Sequence, residues 1–316
     1  MPPQAPITRL APSPTGALHL GNARTFLVNW AMARQAGWRI VLRIEDLDGP
    51  RVKPGVIDAS IDTLRWLGID WDTGPIIQSH DPMPHIEAMR HLAAHALVFP
   101  SELSRAEIET AASAPQEGSH EVRCPASMRP PLVPIDFADT GTNWRFATPK
   151  EVVRVDDNFT GPREFTPSET IGDFIVWTKR GTPSYQLAVV VDDHRQGVTH
   201  IVRGDDLLES AARQALLYRA LGYAPIPAYW HLPLVLGGDG RRLAKRHGDT
   251  RLDTYRDRGV TADRVIGLIA AWCGIVDSPT PMSPREFQAA MDVRRIPRNP
   301  VMFTMEDDRW LLADSR

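Results

Sequence analysis

Between Arg9 and Trp30 the chain reads Arg-Leu-Ala-Pro-Ser-Pro-Thr-Gly-Ala-Leu-His-Leu-Gly-Asn-Ala-Arg-Thr-Phe-Leu-Val-Asn-Trp, an order of residue types that permits few folds. Pro12 and Pro14 fix their own φ angles and lack N–H donors, so with Gly16 they hold Ala11–Gly16 out of helix and sheet. The apolar positions that follow, Leu20, Ala23, Leu27 and Trp30, recur with helical period. Gly37 then stops the helix, and Trp38–Ile44 is a β-branched, apolar run. Strand, rigid loop, helix and strand make one βαβ unit, which predicts an α/β fold around a parallel sheet. Ligands in such sheets bind beyond the carboxyl ends of the strands.

That rule directs attention to four places. A helix opening at about Leu18 would aim free N–H groups and the positive end of its dipole at the Ala11–Gly16 loop, where a phosphate would sit. Gly21 would let a flat ring or phosphate approach the backbone, and His19 could donate to a phosphate oxygen, although a lone histidine is ordinarily a surface or satisfied core residue. At the end of the second strand comes Arg43-Ile44-Glu45-Asp46-Leu47-Asp48, whose acids would ordinarily be turn or cap residues. Val198–Val202 alternates and is β-branched, placing Arg203 at another strand end, where a solvated arginine is the ordinary reading. Finally, Gly237–Gly248 is a glycine-rich hairpin tip followed by Arg241, Arg242, Lys245, Arg246 and His247, a loop suited to polyphosphate or, more blandly, to solubility.

The remaining pattern supplies scaffolding. Pro54–Gly68, Met83–Leu97 and Ala262–Trp272 read as helices, Ile76–Ser79, Val152–Val155 and Asp173–Trp177 as extended segments, with a hairpin signal at Lys179–Pro183. His85, His91 and His95 fall at mixed spacing and read as surface or boundary residues. Phe99–Pro149, dense in proline and serine, reads as an insertion between two halves of the sheet, held by packing around Phe137, Trp144 and Phe146, with a capping box at Ser104–Glu107. The 316 residues divide on this reading into 1–98 and 150–250 as the two halves of a catalytic domain, 99–149 as the insertion, and 251–316 as a short helical region. No stretch approaches the roughly 20 apolar residues of a membrane helix. The two cysteines, Cys124 and Cys273, suit a reducing cytoplasm, and a monomer is expected. A net charge of −3 leaves any RNA contact to local basic patches.

Taken together, Ala-Pro-Ser-Pro-Thr-Gly-x-x-His-x-Gly-Asn-Ala-Arg-Thr, Arg-Ile-Glu-Asp, Tyr185–Asp193, His200–Asp206 and Leu243–Gly248 resemble the signatures of class I aminoacyl-tRNA synthetases, and specifically the glutamyl branch. The glutaminyl branch tends to carry Glu where this chain has Ser13. The resemblance implies a Rossmann-type parallel sheet with an inserted subdomain and a short helical stem-like region. It implies ATP with Mg²⁺, L-glutamate and a tRNA as reactants. Pro12, His19, Gly21, Asn22, Leu243, Lys245 and Arg246 would bind ATP, with His19 and Lys245 catalytic. Arg9, Ala11, Ser13, Glu45, Tyr185 and Arg203 would line the glutamate pocket, with Glu45 on the ammonium. Arg203 can pair bidentately with the side-chain carboxylate, which favours glutamate over glutamine. Arg242 and Ala244 depart from the lysine signature of the branch. The zinc that some relatives hold through a Cys-x-Cys pair is not expected, because Ser101 and Leu103 stand where that pair would be, leaving His120 and Cys124 short of four ligands.

The chain ends at Arg316, where a standard glutamate–tRNA ligase continues into a helical anticodon-binding region. That length resembles the short members of the branch, which place glutamate on the queuosine base at position 34 of tRNA-Asp. A truncated ligase charging a tRNA 3′ end, another adenylating enzyme acting on a small amine, and a catalytically silent RNA-binding protein remain as alternatives.

Overall fold

The computed structural model describes residues 5–49, 52–102, 107, 123–241, 243 and 250–313. The first half follows the expected βαβ order: β1 (Ile7–Leu10), α1 (Leu20–Ala36), β2 (Arg39–Ile44), α2 (Val56–Trp66), β3 (Thr73–Ile77) and α3 (Met83–Ala94), although β3 lies earlier than the expected Ile76–Ser79, pairing with β2 from Thr73 and giving way to a 3-10 turn at Gln78–His80. Gly37 closes α1 with φ 70°, a left-handed conformation that a side chain would resist. Next come β4 (Val98–Pro100) and β5 (Trp144–Phe146), then the hairpin of β6 (Val153–Asp157) and β7 (Gly161–Phe165) and the single turn α4 (Pro167–Thr170). β8 (Ile175–Thr178), β9 (Thr182–Pro183), α5 (Tyr185–Arg195), β10 (His200–Gly204), α6 (Leu208–Ala220) and β11 (Ala228–Leu232) follow. The chain finishes through β12 (Val235–Leu236), α7 (Leu252–Asp257), α8 (Ala262–Trp272), α9 (Pro284–Ala290), β13 (Val301–Met302) and α10 (Met305–Leu312).

Seven strands form the main sheet in the order β3-β2-β1-β10-β11-β6-β7, parallel throughout except for the β6–β7 hairpin. The strand order reverses between β1 and β10, so the crevice at their carboxyl ends is the switch point where α/β sheets bind ligands. Register puts Arg9 level with Val41, two residues before Arg43, and Arg203 level with His231 on β11.

The insertion does not close on itself. β4 and β5 join β8 and β9 in a four-stranded antiparallel sheet, so residues on both sides of position 150 share it. Phe137 sits edge-on to Trp144 and Trp177 at centroid distances of 5.4 and 5.1 Å, and Phe146 lies 5.2 Å from Phe174. The capping-box residues Ser104–Ala106, and Leu103 and His120, lie outside the described residues. A second core joins the first βαβ unit to the carboxyl-terminal helices, running from Leu10, Leu27 and Leu42 to Val265, Phe287 and Leu311. Gln35 on α1 donates to the carbonyl of Met291 at 2.9 Å, tying α1 to the end of α9.

Tyr185–Arg195, to which the sequence pattern assigns no element, is helical despite Val189, Val190 and Val191, because the helix packs on α3 and α6 with Leu187, Val190 and Val191 in the core and Ser184 caps its first turn. One local reading changes. His85, read as a surface or boundary residue, is fully buried, 3.4 Å from an oxygen of Asp192.

Candidate active site

At the carboxyl edge of the sheet, strand ends bring buried and half-buried charged side chains together. Arg43 is wholly buried, and its Nη1 donates to Asp193 at 2.7 Å and to Gln196 at 2.9 Å. Its Nη2 and Nε donate to Oε1 of Glu45 at 2.9 and 3.2 Å. Arg9 Nε lies 3.4 Å from the same Asp193 oxygen. Burial would lower the Arg43 pKa, but Asp193, Glu45 and Asp192 outweigh it and raise it, so this guanidinium is a fixed charge. Burial raises the Glu45 carboxyl above its ordinary value, against the pull of Arg43 and Arg9. Both hydrogen bonds to Glu45 land on one oxygen. The loop itself is held to this residue, because Glu45 N–H donates to the Pro12 carbonyl at 3.0 Å.

Arg203 completes the constellation. It is buried, yet among the described residues its hydrogen bonds go to neutral groups: Nε to His231 Nε2 at 2.9 Å and Nη2 to the Leu207 carbonyl at 3.2 Å. Its guanidinium lies 5.2 Å from the Tyr229 ring. Tyr185, the first residue of α5, is buried and electrostatically coupled to Arg203, Glu45 and Arg9, with burial raising its hydroxyl pKa. Burial likewise pushes Tyr229 up to about 12. Among the described residues, Arg9 Nε, Asp193 Oδ2, Arg203 Nη1 and the hydroxyls of Tyr218 and Tyr229 are buried without a hydrogen-bond partner. Buried polar atoms are ordinarily satisfied, so these five atoms in one electrostatically linked group make it a candidate site for a polar ligand.

His19 differs from expectation in a way that specifies its chemistry. It is the N-cap of α1, which begins at Leu20, and its Nδ1 accepts from the Gly21 and Asn22 N–H groups at 3.1 and 3.4 Å. The Leu20 and Ala23 N–H groups are also taken, by the carbonyls of Thr250 and His19. The first turn of α1 therefore does not offer free N–H groups. With Nδ1 accepting, the imidazole proton is on Nε2, and the ring is the donor at this helix end. Gly21 makes room for this cap: a Cβ there would fall 3.1 Å from the His19 ring, so the flat group approaching the glycine is the protein's own imidazole.

Of the other expected residues, Pro12 is buried, Ala11 partly buried and Ser13 exposed. Leu243 is packed in the core and its N–H lies on the Val235 carbonyl, so it offers a nucleotide no accessible side chain. Lys245 and Arg246 lie outside the described residues. Asp193, His231, Asp157, Tyr218 and Tyr229 are not among the site residues the sequence points to; Arg43 is signalled by its place in the strand-end string, whereas His231 comes beside Arg203 only through the pairing of β10 with β11. Among the described residues no group of three or more His, Cys, Asp or Glu is placed to hold a metal, and no helix is long and apolar enough to cross a membrane.

Residues 7–303 match the family model for the catalytic domain of class I tRNA synthetases (E and Q). A glutamyl-Q tRNA(Asp) synthetase of Symbiobacterium thermophilum is 45% identical over 311 residues, covering 94% of this chain and 96% of that one. A glutamate–tRNA ligase of Methylorubrum extorquens is 39% identical over 94% of this chain but only 62% of its own length. The crystal structure of a glutamate tRNA ligase from Elizabethkingia meningosepticum in complex with its amino acid superposes with a TM-score of 0.79 at 25% identity, over 98% of this chain and 69% of that one. The chain belongs to the class I tRNA synthetases (E and Q), a family of ligases.

Proposed function

We propose that the protein activates L-glutamate with ATP to glutamyl-adenylate and transfers the glutamyl group to the queuosine base at position 34 of tRNA-Asp. The observation that carries the amino-acid assignment is Arg203, a buried guanidinium whose partners among the described residues are all neutral. Leaving such a charge unpaired is costly, and a ligand carboxylate compensates it where a carboxamide does not. Arg43 cannot serve in this way, because Glu45 and Asp193 already neutralise it. The second oxygen of Glu45 is the group suited to the substrate ammonium. The acceptor assignment is supported by relatives bearing that name, which match over 88–96% of their own lengths.

In the reaction an α-carboxylate oxygen of glutamate bonds to the α-phosphorus of ATP, and the bond to pyrophosphate breaks. A nucleophile of the queuosine base then attacks the adenylate carbonyl and AMP leaves. ATP with Mg²⁺ supplies the activated phosphorus. The protein's contribution is positioning and charge stabilisation, from the dipole of α1, from His19 Nε2–H, and from Lys245 on the basic loop.

The test offers radiolabelled glutamate, ATP and Mg²⁺ to the purified protein with queuosine-containing tRNA-Asp, tRNA-Asp lacking queuosine, and tRNA-Glu. Label is expected on the first alone. Label on tRNA-Glu would replace this reading with that of a compact ligase, and absence of both label and glutamate-dependent pyrophosphate exchange would replace it with that of an RNA-binding protein.

A further inference from the structure

Arg203 is aimed by something, and the sheet shows by what. Asp157 closes β6, His231 lies on β11 and Arg203 on β10, three adjacent strands of the main sheet, with Arg203 and His231 register partners. Asp157 Oδ2 lies 2.7 Å from His231 Nδ1 and also accepts the His231 backbone N–H at 3.1 Å. Its other oxygen accepts the N–H groups of Phe159 and Thr160 at 3.0 and 2.6 Å, so the carboxylate cannot rotate. His231 Nε2 accepts Arg203 Nε–H at 2.9 Å. All three side chains are buried.

We infer that Asp157 and His231 are positioning residues that set the glutamate specificity of the pocket by holding Arg203 with its Nη edge toward the substrate carboxylate. The inference rests on the reading of Arg203 as the carboxylate-binding residue. The chemistry fixes the direction of each bond. A guanidinium Nε carries a hydrogen and no lone pair, so His231 Nε2 must be the unprotonated nitrogen, and the ring proton sits on Nδ1 facing Asp157. Asp157 thereby selects the one tautomer that can accept from Arg203. Burial and the nearby Arg203 lower the His231 pKa to about 4, against Asp157, which keeps the ring neutral at physiological pH. With Nε tied to a neutral acceptor and Nη2 on the Leu207 carbonyl, Nη1 is buried without a hydrogen-bond partner among the described residues. A carboxylate in the place of His231 would hold Arg203 as well but would cancel the charge that the substrate needs. A neutral imidazole orients the cation and leaves its charge for the ligand.

Two substitutions separate this role from bulk packing. His231→Asn can reach Asp157 with its amide but has no acceptor at the Nε2 position; His231→Gln can put an amide oxygen there. In pyrophosphate exchange, His231→Asn is expected to raise the glutamate KM about tenfold, with the ATP KM and kcat within about twofold, and His231→Gln to return it to within about threefold of wild type. Arg203→Ala is expected to raise the glutamate KM at least as far, and the Arg203→Ala/His231→Asn double variant no further than Arg203→Ala alone. If Arg203→Ala raises the glutamate KM and His231→Asn does not, the positioning role is overturned while the pocket stands. If Arg203→Ala leaves it unchanged, the pocket assignment itself fails. Should His231→Asn not fold, Asp157→Asn decides. Its amide nitrogen against Nδ1 drives the ring proton onto Nε2, readable from the imidazole nitrogen chemical shifts, and an unchanged glutamate KM in a variant with that tautomer refutes the inference.

Discussion

Replacing Arg43 by Met, of similar length, removes the wholly buried cation that pairs with both Glu45 and Asp193. Four hydrogen bonds disappear, two from Glu45 and one each from Asp193 and Gln196. Breaking one partner of a buried pair ordinarily costs about 3–5 kcal/mol, because the remaining charge is stranded. Here the lower end applies: Asp193 keeps Arg9 at 3.4 Å, and the Glu45 side chain, 13% exposed, can recruit water. For 316 residues the unfolding entropy is on the order of 0.7 kcal/mol per kelvin, so a loss of about 3 kcal/mol lowers the melting temperature by roughly 5 °C. Arg43→Lys should lose nearly as much, since one ammonium cannot span Glu45 and Asp193 on opposite sides. Scanning calorimetry measures both, and the Arg43→Met/Asp193→Asn double variant should lose less than the two single losses added together. A melting temperature within about 1 °C of wild type for Arg43→Met would show that Glu45 and Asp193 are not held by this cation, and the reasoning from burial and partners would be wrong.

Three further outcomes can be checked. His19→Asn keeps a good helix N-cap but lacks the imidazole Nε2–H, so its melting temperature should stay near wild type while pyrophosphate exchange falls about a hundredfold or more; wild-type exchange would remove His19 from the chemistry. Lys245→Ala should likewise depress exchange without weakening glutamate binding measured by calorimetry, and equal loss of both would point to a damaged pocket instead. His231 takes up its proton near pH 6.5 when unfolded and near 4 when folded, so between those values the unfolded chain binds more protons and stability falls as pH falls. The loss amounts to about 3 kcal/mol by pH 4 and is absent above pH 7. Melting temperatures of wild type and His231→Gln should therefore converge on acidification, and parallel decline would refute the linkage.

Local chemistry made the frame legible. Prolines and Gly16 forced the loop, the period from Leu20 to Trp30 forced α1, and Ala262–Trp272 shows its helix in its own pattern. The signature strings located Arg9, Glu45, Tyr185 and Arg203 at the sheet edge that the structure brings together. What escaped was set by partners distant in sequence. Asp193 is an ordinary acid on a helix until Arg43, 150 positions away, donates to it. His85 carries no local sign of burial, because Asp192 on α5 supplies its partner. The pattern around His19 does not say which ring nitrogen is occupied, since that depends on α1 beginning at Leu20 with His19 as its cap.

The shared core of the first βαβ unit and the last helices has a consequence during synthesis. Leu27 and Leu42 leave the ribosome early, but Val265, Phe287 and Leu311, which bury them, are more than 200 residues behind. At about 5–20 residues per second the opening segment waits on the order of 10–60 s before those residues emerge, with part of its apolar face uncovered. Over that interval the nascent chain exposes the kind of apolar surface that drives aggregation, and a ribosome stalled before α8 would present a segment that has every strand of its main sheet and still lacks part of its core.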